Sequence, residues 1–206
     1  GNKILTFEEE DGQRFQLISD ENNEGVSAGI PWQNGPVDTQ HAIYGLGPIE
    51  ITVTYFDEFK EALTEIYGMT VIKDESEVAL LEMGEGNGAQ VILRKDDTSR
   101  PAMQGYGEVH HVSFRVKDHD AIAKWHEKYK THRMGNSGIV DRFYFEALYT
   151  RIGHILIELS TDGPGFMTDE PYETLGESLA LPPFLEPKRE EIEAQVRPFD
   201  TTRSDK

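Results

Sequence analysis

A histidine doublet, His110-His111, and a single carboxylate, Glu158, are the residues of this chain whose types and setting could do chemistry together. The doublet stands in a strand-like stretch from Glu108 to Val116, and the carboxylate interrupts the apolar run Ile155-Leu156-Ile157-Glu158-Leu159. An imidazole and a carboxylate, each on its own strand, are two of the three ligands in the 2-His-1-carboxylate face that holds non-haem iron(II) and leaves positions open for substrate and oxygen. Alternation along the first strand groups His111 with Ser113 and Arg115, and His110 with Val112, Phe114 and Val116. The second group has the character of a helix-packing face, so His111 is expected to point into a cleft. Glu158 shares its face with Leu156 and Ser160, and a carboxylate in so apolar a run is costly to bury unless it is paired or bound to a cation. Taken singly, a strand histidine is usually a satisfied structural residue and a strand glutamate usually faces water. On the first and last strands of one repeating unit, the two read together as metal ligands.

Other polar residues lie close in sequence. Arg142 and Tyr149 precede Glu158 on the neighbouring strand candidate, and His154 stands beside its start. A guanidinium and a phenol can stabilise a developing phenolate by directed hydrogen bonds, although each is as often an ordinary surface group. His119, His126 and His132 fall in or near a helical segment and are expected to face solvent, while His41 has no assigned role.

The elements that must position these groups recur. Gly45-Leu-Gly47 opens a strand (Ile49 to Thr54), and Gly105-Tyr-Gly107 opens another (Glu108 to Val116). Each is followed by a segment of helical period, with Phe59, Ala62, Leu63 and Ile66 in one copy and Ile122, Trp125 and Tyr129 in the other. Gly68 and Gly135 are the expected helix stops. Three short strands then follow in each: 69–73, 78–83 and 90–94, and 139–141, 143–151 and 154–160. The expected class is therefore α+β: paired βαβββ modules whose curved sheets surround a cleft, since one such unit cannot close its own core.

The segments divide as 1–20, a hairpin left from a preceding module; 21–44, a linker rich in Gly, Pro and Asn; 45–96, a module without metal ligands; 105–165, the metal-binding module; and 166–206, a C-terminal arm with a charged helix expected from Glu186 to Val196. In the first copy Ile51 stands where His111 does and the last strand offers no acid. Gln16 occupies in the hairpin the place that Glu158 has in its module, and a neutral amide is a weak iron ligand. The chain opens on Gly1 rather than methionine, which fits a processed start, an expression scar or a longer protein.

Composition narrows the class. Of 206 residues 37% are hydrophobic, enough for a sizeable core, and none is cysteine, which excludes disulfides and thiolate metal sites. A net charge of −18 repels nucleic-acid phosphate and anionic membrane surfaces, so neither is an expected partner. No apolar stretch is long enough to span a bilayer and no signal-peptide pattern opens the chain, so a cytoplasmic location is expected.

With these residues in view the sequence resembles the vicinal oxygen chelate superfamily of glyoxalases, bleomycin resistance proteins and extradiol dioxygenases, and within it the bacterial ring-cleaving dioxygenases of hydroquinone type. The resemblance rests on Gly107-Glu-Val-His-His-Val-Ser-Phe-Arg115, Asp141-Arg-Phe-Tyr-Phe-Glu-Ala-Leu-Tyr-Thr-Arg151, Glu158-Leu-Ser-Thr-Asp-Gly-Pro-Gly-Phe166 and Leu175-Gly-Glu-Ser-Leu-Ala-Leu-Pro-Pro183. It implies the vicinal oxygen chelate fold, iron(II) held by His111 and Glu158, and outer roles for His110, Tyr149 and Arg142 around an aromatic diol and dioxygen. It also implies a further histidine ligand from a first module that these residues do not contain. A homodimer is an open expectation. Two other readings stand beside it: a glyoxalase-type isomerase or lyase, which generally wants a second carboxylate ligand, and a metal-free module that binds a small aromatic compound.

Overall fold

The computed structural model describes residues 2–21, 23, 29–31, 33, 36–100, 103–105 and 107–201. Gly1, Trp32 and Gly35 of the segments discussed above, Tyr106 between the paired glycines, and the last five residues of the arm lie outside the described residues. The chain divides into two compact units, Gly1–Val112 with Arg151–Leu156, and Ser113–Thr150 with Ile157–Lys206.

The first unit opens with the hairpin β1 (Ile4–Glu8) and β2 (Arg14–Ile18), paired antiparallel with Phe7 opposite Phe15. Those two rings stack, with centroids 5.3 Å apart and planes 15° apart. The repeating unit follows as β3 (Ile49–Val53), α1 (Phe56–Glu61), β4 (Thr70–Asp74), β5 (Val78–Glu82) and β6 (Gln90–Lys95), in the sheet order β3-β6-β5-β4. First and last strands run parallel, with Ile51 opposite Leu93, and the other pairs are antiparallel. Period-two burial puts Ala79, Leu81, Val91 and Leu93 on one face, all 0% exposed, and the helix covers that kind of surface with Phe56, Phe59 and Leu63.

The helical segment differs from expectation in its last turn. Residues Ala62–Ile66 widen into a π turn, and the Thr64 hydroxyl donates back to the Lys60 carbonyl at 3.2 Å. The wider turn brings Tyr67 into the buried face in place of Ile66. Gly68 ends the segment at φ +72°, a conformation that costs glycine nothing.

The second copy comprises β7 (Val112–Val116), α2 (His119–Thr131), β8 (Asn136–Asp141), β9 (Phe145–Ile152) and β10 (Ile155–Pro164), ordered β7-β10-β9-β8. This is the same strand order as in the first copy. The β9–β10 turn, residues 151–156, belongs to the first unit and the remainder of those strands to the second. Asp118 caps α2 by accepting the Ala121 amide at 3.0 Å, and Ile122 and Tyr129 on its inner face are 0% exposed.

Two boundaries depart from the sequence expectation. Strand β7 starts at Val112 rather than Glu108, because Gly105 to Glu108 closes a turn with Gly107 at φ +84°. The histidine doublet thus precedes the strand instead of lying inside it. At the other end of the helix, Arg133 takes the left-handed conformation at φ 56° and the Met134 amide bonds back to the Tyr129 carbonyl, so the stop falls two residues before Gly135. The arm is shorter in helix than expected. A 3-10 turn at Glu186–Lys188, with Pro187 in its first positions, leads into α3 (Arg189–Glu193), where Arg189 bonds both Glu186 and Glu193. Among the described residues no helix is long and apolar enough to cross a membrane.

His119 does more than face solvent. Its Nδ1 lies 2.9 Å from both carboxylate oxygens of Glu146, and that contact raises its pKa above the ordinary histidine value. A group whose pKa is raised on folding stabilises the fold fully below its unfolded value, near 6.5, and loses that contribution as pH climbs through the folded value. Histidine ring NMR is expected to show His119 titrating above the ordinary histidine value, and Glu146→Gln to bring it down toward that value. An unchanged His119 titration in that variant would refute the contact.

Candidate functional site

In the first unit the chemistry-bearing residues gather on a cavity of about 750 Å³, a size suited to a small organic ligand. Its walls come from the hairpin (Phe7, Arg14, Phe15, Gln16), from β3 (Ile49 to Thr52), from Gln104 and residues 108–112, and from residues 154–156. Both histidines of the doublet line it. Their Nδ1 atoms are 3.0 Å apart and the rings meet edge to face at 5.2 Å. One ring must therefore donate and the other accept. His110, expected on the helix-packing face, is instead exposed on the cavity wall, because the residues before Val112 have left the strand's alternation.

Gln16 is committed elsewhere: its amide donates to Glu50 at 3.4 Å, and Glu50 also takes two bonds from Arg94 at 2.9 and 3.2 Å. The Arg94 guanidinium holds the Glu50 carboxyl below its ordinary value. His154, at the β9–β10 turn, is the third imidazole on the cavity wall.

In the second unit Glu158 is 3% exposed, between Ile157 and Leu159 at 0% and 1%. Tyr149, on the adjacent strand, hydrogen-bonds to it, and burial together with that bond pushes the Tyr149 hydroxyl above its ordinary value. Arg142 donates to the Tyr149 oxygen at 3.3 Å and its guanidinium lies 5.5 Å from the ring centroid. Arg142 sits in the β8–β9 turn, which is tied by its own amide to the Phe145 carbonyl at 2.8 Å and by the Phe143 amide to the Asp141 carboxylate at 2.7 Å. Phe143 adopts φ 70°, a left-handed conformation that an aromatic residue rarely takes. The structure thus joins Arg142, Tyr149 and Glu158 into one chain of contacts, and His110 with His111 into another. Among the described residues no group of three or more His, Asp or Glu side chains could hold a metal.

From the sequence, no role fell to Tyr55, Gln104 or Arg151, which surround the turn that carries His154. The two-residue loop Gly153-His154 between strands was the only local signal.

The family description "Glyoxalase/Bleomycin resistance protein/Dioxygenase superfamily" matches residues 45–167, which hold both βαβββ copies. The chain belongs to this superfamily. Within the superfamily, it is 45% identical over 207 residues to MhqA of Bacillus subtilis (strain 168), provisionally named a ring-cleaving dioxygenase, covering 97% of this chain and 65% of that protein. It is 28% identical over 200 residues to a chlorohydroquinone/hydroquinone 1,2-dioxygenase of Sphingobium indicum, covering 93% of this chain and 60% of that protein. The chain thus spans less than two thirds of the curated relatives it matches. A solved structure of a provisionally named dioxygenase from Bacillus subtilis superposes with a TM-score of 0.80 at 29% identity, over 98% of this chain and 67% of that one. That superposition agrees with the α+β architecture of two four-stranded sheets with strand order first-fourth-third-second.

Proposed function

We propose that this chain is part of an iron(II)-dependent dioxygenase that opens the ring of a hydroquinone or catechol-type diol, with His111 and Glu158 as two of the metal's donors. The substrate class is drawn from the name of the Sphingobium relative. What supports the carboxylate donor is the setting of Glu158 in the second unit, 3% exposed between Ile157 and Leu159; what supports the imidazole donor is that His111 lines the cavity of the first unit with its Nδ1 3.0 Å from that of His110.

The donor chemistry fits the metal in part. An imidazole and a buried carboxylate are two donors of an iron(II) face. The remaining donor would come from outside the described residues. In that arrangement His111, donating its Nδ1 proton to His110, would turn the lone pair of its Nε2 outward, the tautomer that a metal ligand needs. Iron bound there would supply activation of dioxygen beside the coordinated diol.

The chain's own residues bind, orient and move protons. On this reading the Tyr149 hydroxyl, which rests on Glu158 and receives a bond from Arg142, would hold a proton for a substrate oxygen, and the guanidinium would favour a developing phenolate. With its Nδ1 accepting from His111, a neutral His110 carries its proton on Nε2 and could give that proton up and take it back there.

The test is anaerobic iron loading of the full-length protein, followed by oxygen uptake with methylhydroquinone, catechol and a methylglyoxal–thiol adduct in parallel. Uptake with a diol is the expected result. No uptake with either diol overturns the proposal; isomerisation of the adduct would point to the glyoxalase-type reading, and diol binding without turnover to the binding module.

A further inference from the structure

We propose that His154 contacts the diol in the cavity of the first unit, and that Tyr55, Gly153 and Arg151 form a clasp that positions it. This rests on the reading that the cavity binds a small aromatic diol.

The clasp is visible in the backbone of the β9–β10 turn. The Tyr55 hydroxyl, from the loop after β3, accepts the His154 amide at 2.7 Å and donates to the Ile152 carbonyl at 3.1 Å, so one phenol holds both sides of the turn. The His154 carbonyl accepts Nη1 of Arg151 at 3.0 Å, and Nη2 of the same guanidinium reaches Gln104 Oε1 at 3.0 Å. His154 is therefore fixed through its N–H and its C=O alike. Gly153 completes the arrangement twice over. Its φ of +57° is the left-handed conformation, and a Cβ there would lie 2.2 Å from Cζ of Tyr55, so the tyrosine ring occupies the space that any side chain at 153 would need.

A hairpin turn of two residues needs only a glycine at positive φ to form. Fixing both polar groups of the next residue from two further directions, one of them nearly a hundred residues away in sequence, goes beyond what the turn requires. What this extra fixation determines is where the His154 side chain departs, and it departs on the wall of the cavity that His110, His111 and Gln104 also line. A neutral imidazole held there offers one donor and one acceptor, the complement of a phenolic hydroxyl. Pre-setting its direction lowers the ordering cost on binding. In these terms His154 is a substrate-contacting residue, and Tyr55, Gly153 and Arg151 are positioning residues.

The experiment is an anaerobic titration of the chain with hydroquinone, read by histidine ring NMR and by the dissociation constant. The wild type is compared with His154→Ala, His154→Gln and Tyr55→Phe, each checked by thermal melting. The His154 ring signals are expected to move on titration. His154→Ala is expected to raise the Kd about tenfold, the scale of one lost hydrogen bond, with its melting curve unmoved. His154→Gln, which keeps a donor and an acceptor, should recover part of that loss, and Tyr55→Phe should raise the Kd and shift the His154 ring signals in the free protein. A wild-type Kd in His154→Ala, or no binding of hydroquinone to the wild type, overturns the contact. A wild-type Kd and unshifted His154 signals in Tyr55→Phe overturn the clasp. Hydroquinone binding that depends on His154 without any oxygen uptake upholds this inference while the ring-cleavage reading falls.

Discussion

Replacing Glu158 by glutamine in the iron-loaded protein lowers oxygen uptake with hydroquinone by more than about a hundredfold, while the unfolding transition stays in place or rises. Groups that merely orient a metal ligand are worth about 10–100-fold in affinity or activity, so removing the charge of a ligand itself exceeds that range. The amide keeps the size of the side chain and an acceptor for Tyr149, which limits the damage to packing. Stability should not suffer, because Glu158 is 3% exposed and a buried carboxylate carries a desolvation penalty that a neutral isostere avoids. Oxygen uptake together with urea unfolding checks both halves. Wild-type uptake would remove Glu158 from the metal, and a collapse of the unfolding midpoint would make the carboxylate a structural group.

The largest stability effect is expected from the first unit's helix. Phe59 is 0% exposed, and Phe59→Ala should cost about 3–5 kcal/mol, the range for emptying a fully buried aromatic site that can relax only in part. Its ring also lies 6.2 Å from that of Tyr55. The cavity left behind therefore loosens the seat of the residue that holds the β9–β10 turn, and hydroquinone affinity should fall along with the urea midpoint. A midpoint shift under about 1 kcal/mol would mean that the neighbouring side chains close the hole, as the spread of such measurements allows.

Much of the architecture could be read from local pattern because local physics produces it. The spacing of Ile122 and Tyr129 is that of one helix face, and the capping carboxylate of Asp118 stands where the pattern begins. The run around Glu158 is apolar enough that burial followed from composition alone. Where a left-handed backbone decides a boundary, the pattern misled. Gly107 turned the chain before the doublet and so released His110 from the strand alternation that its neighbours obey, and Arg133 took a conformation for which Gly135 was the better candidate. The ties around His154 left no trace in the sequence because their partners, Tyr55 and Gln104, lie 99 and 47 residues from the backbone or side-chain groups they meet. Pairing of that kind is a long-range contact, which local sequence pattern does not encode.

The two βαβββ copies share a strand order, yet in the first the facing pair Ile51 and Leu93 is sealed at 6% and 0% exposure. Strand β3 therefore serves core and cavity wall at once, since Ile51 is buried against the sheet while Ile49, Glu50, Ile51 and Thr52 border the cavity. Durability and ligand affinity cannot be tuned apart along that strand: a change that loosens its packing also reshapes the wall a ligand would meet.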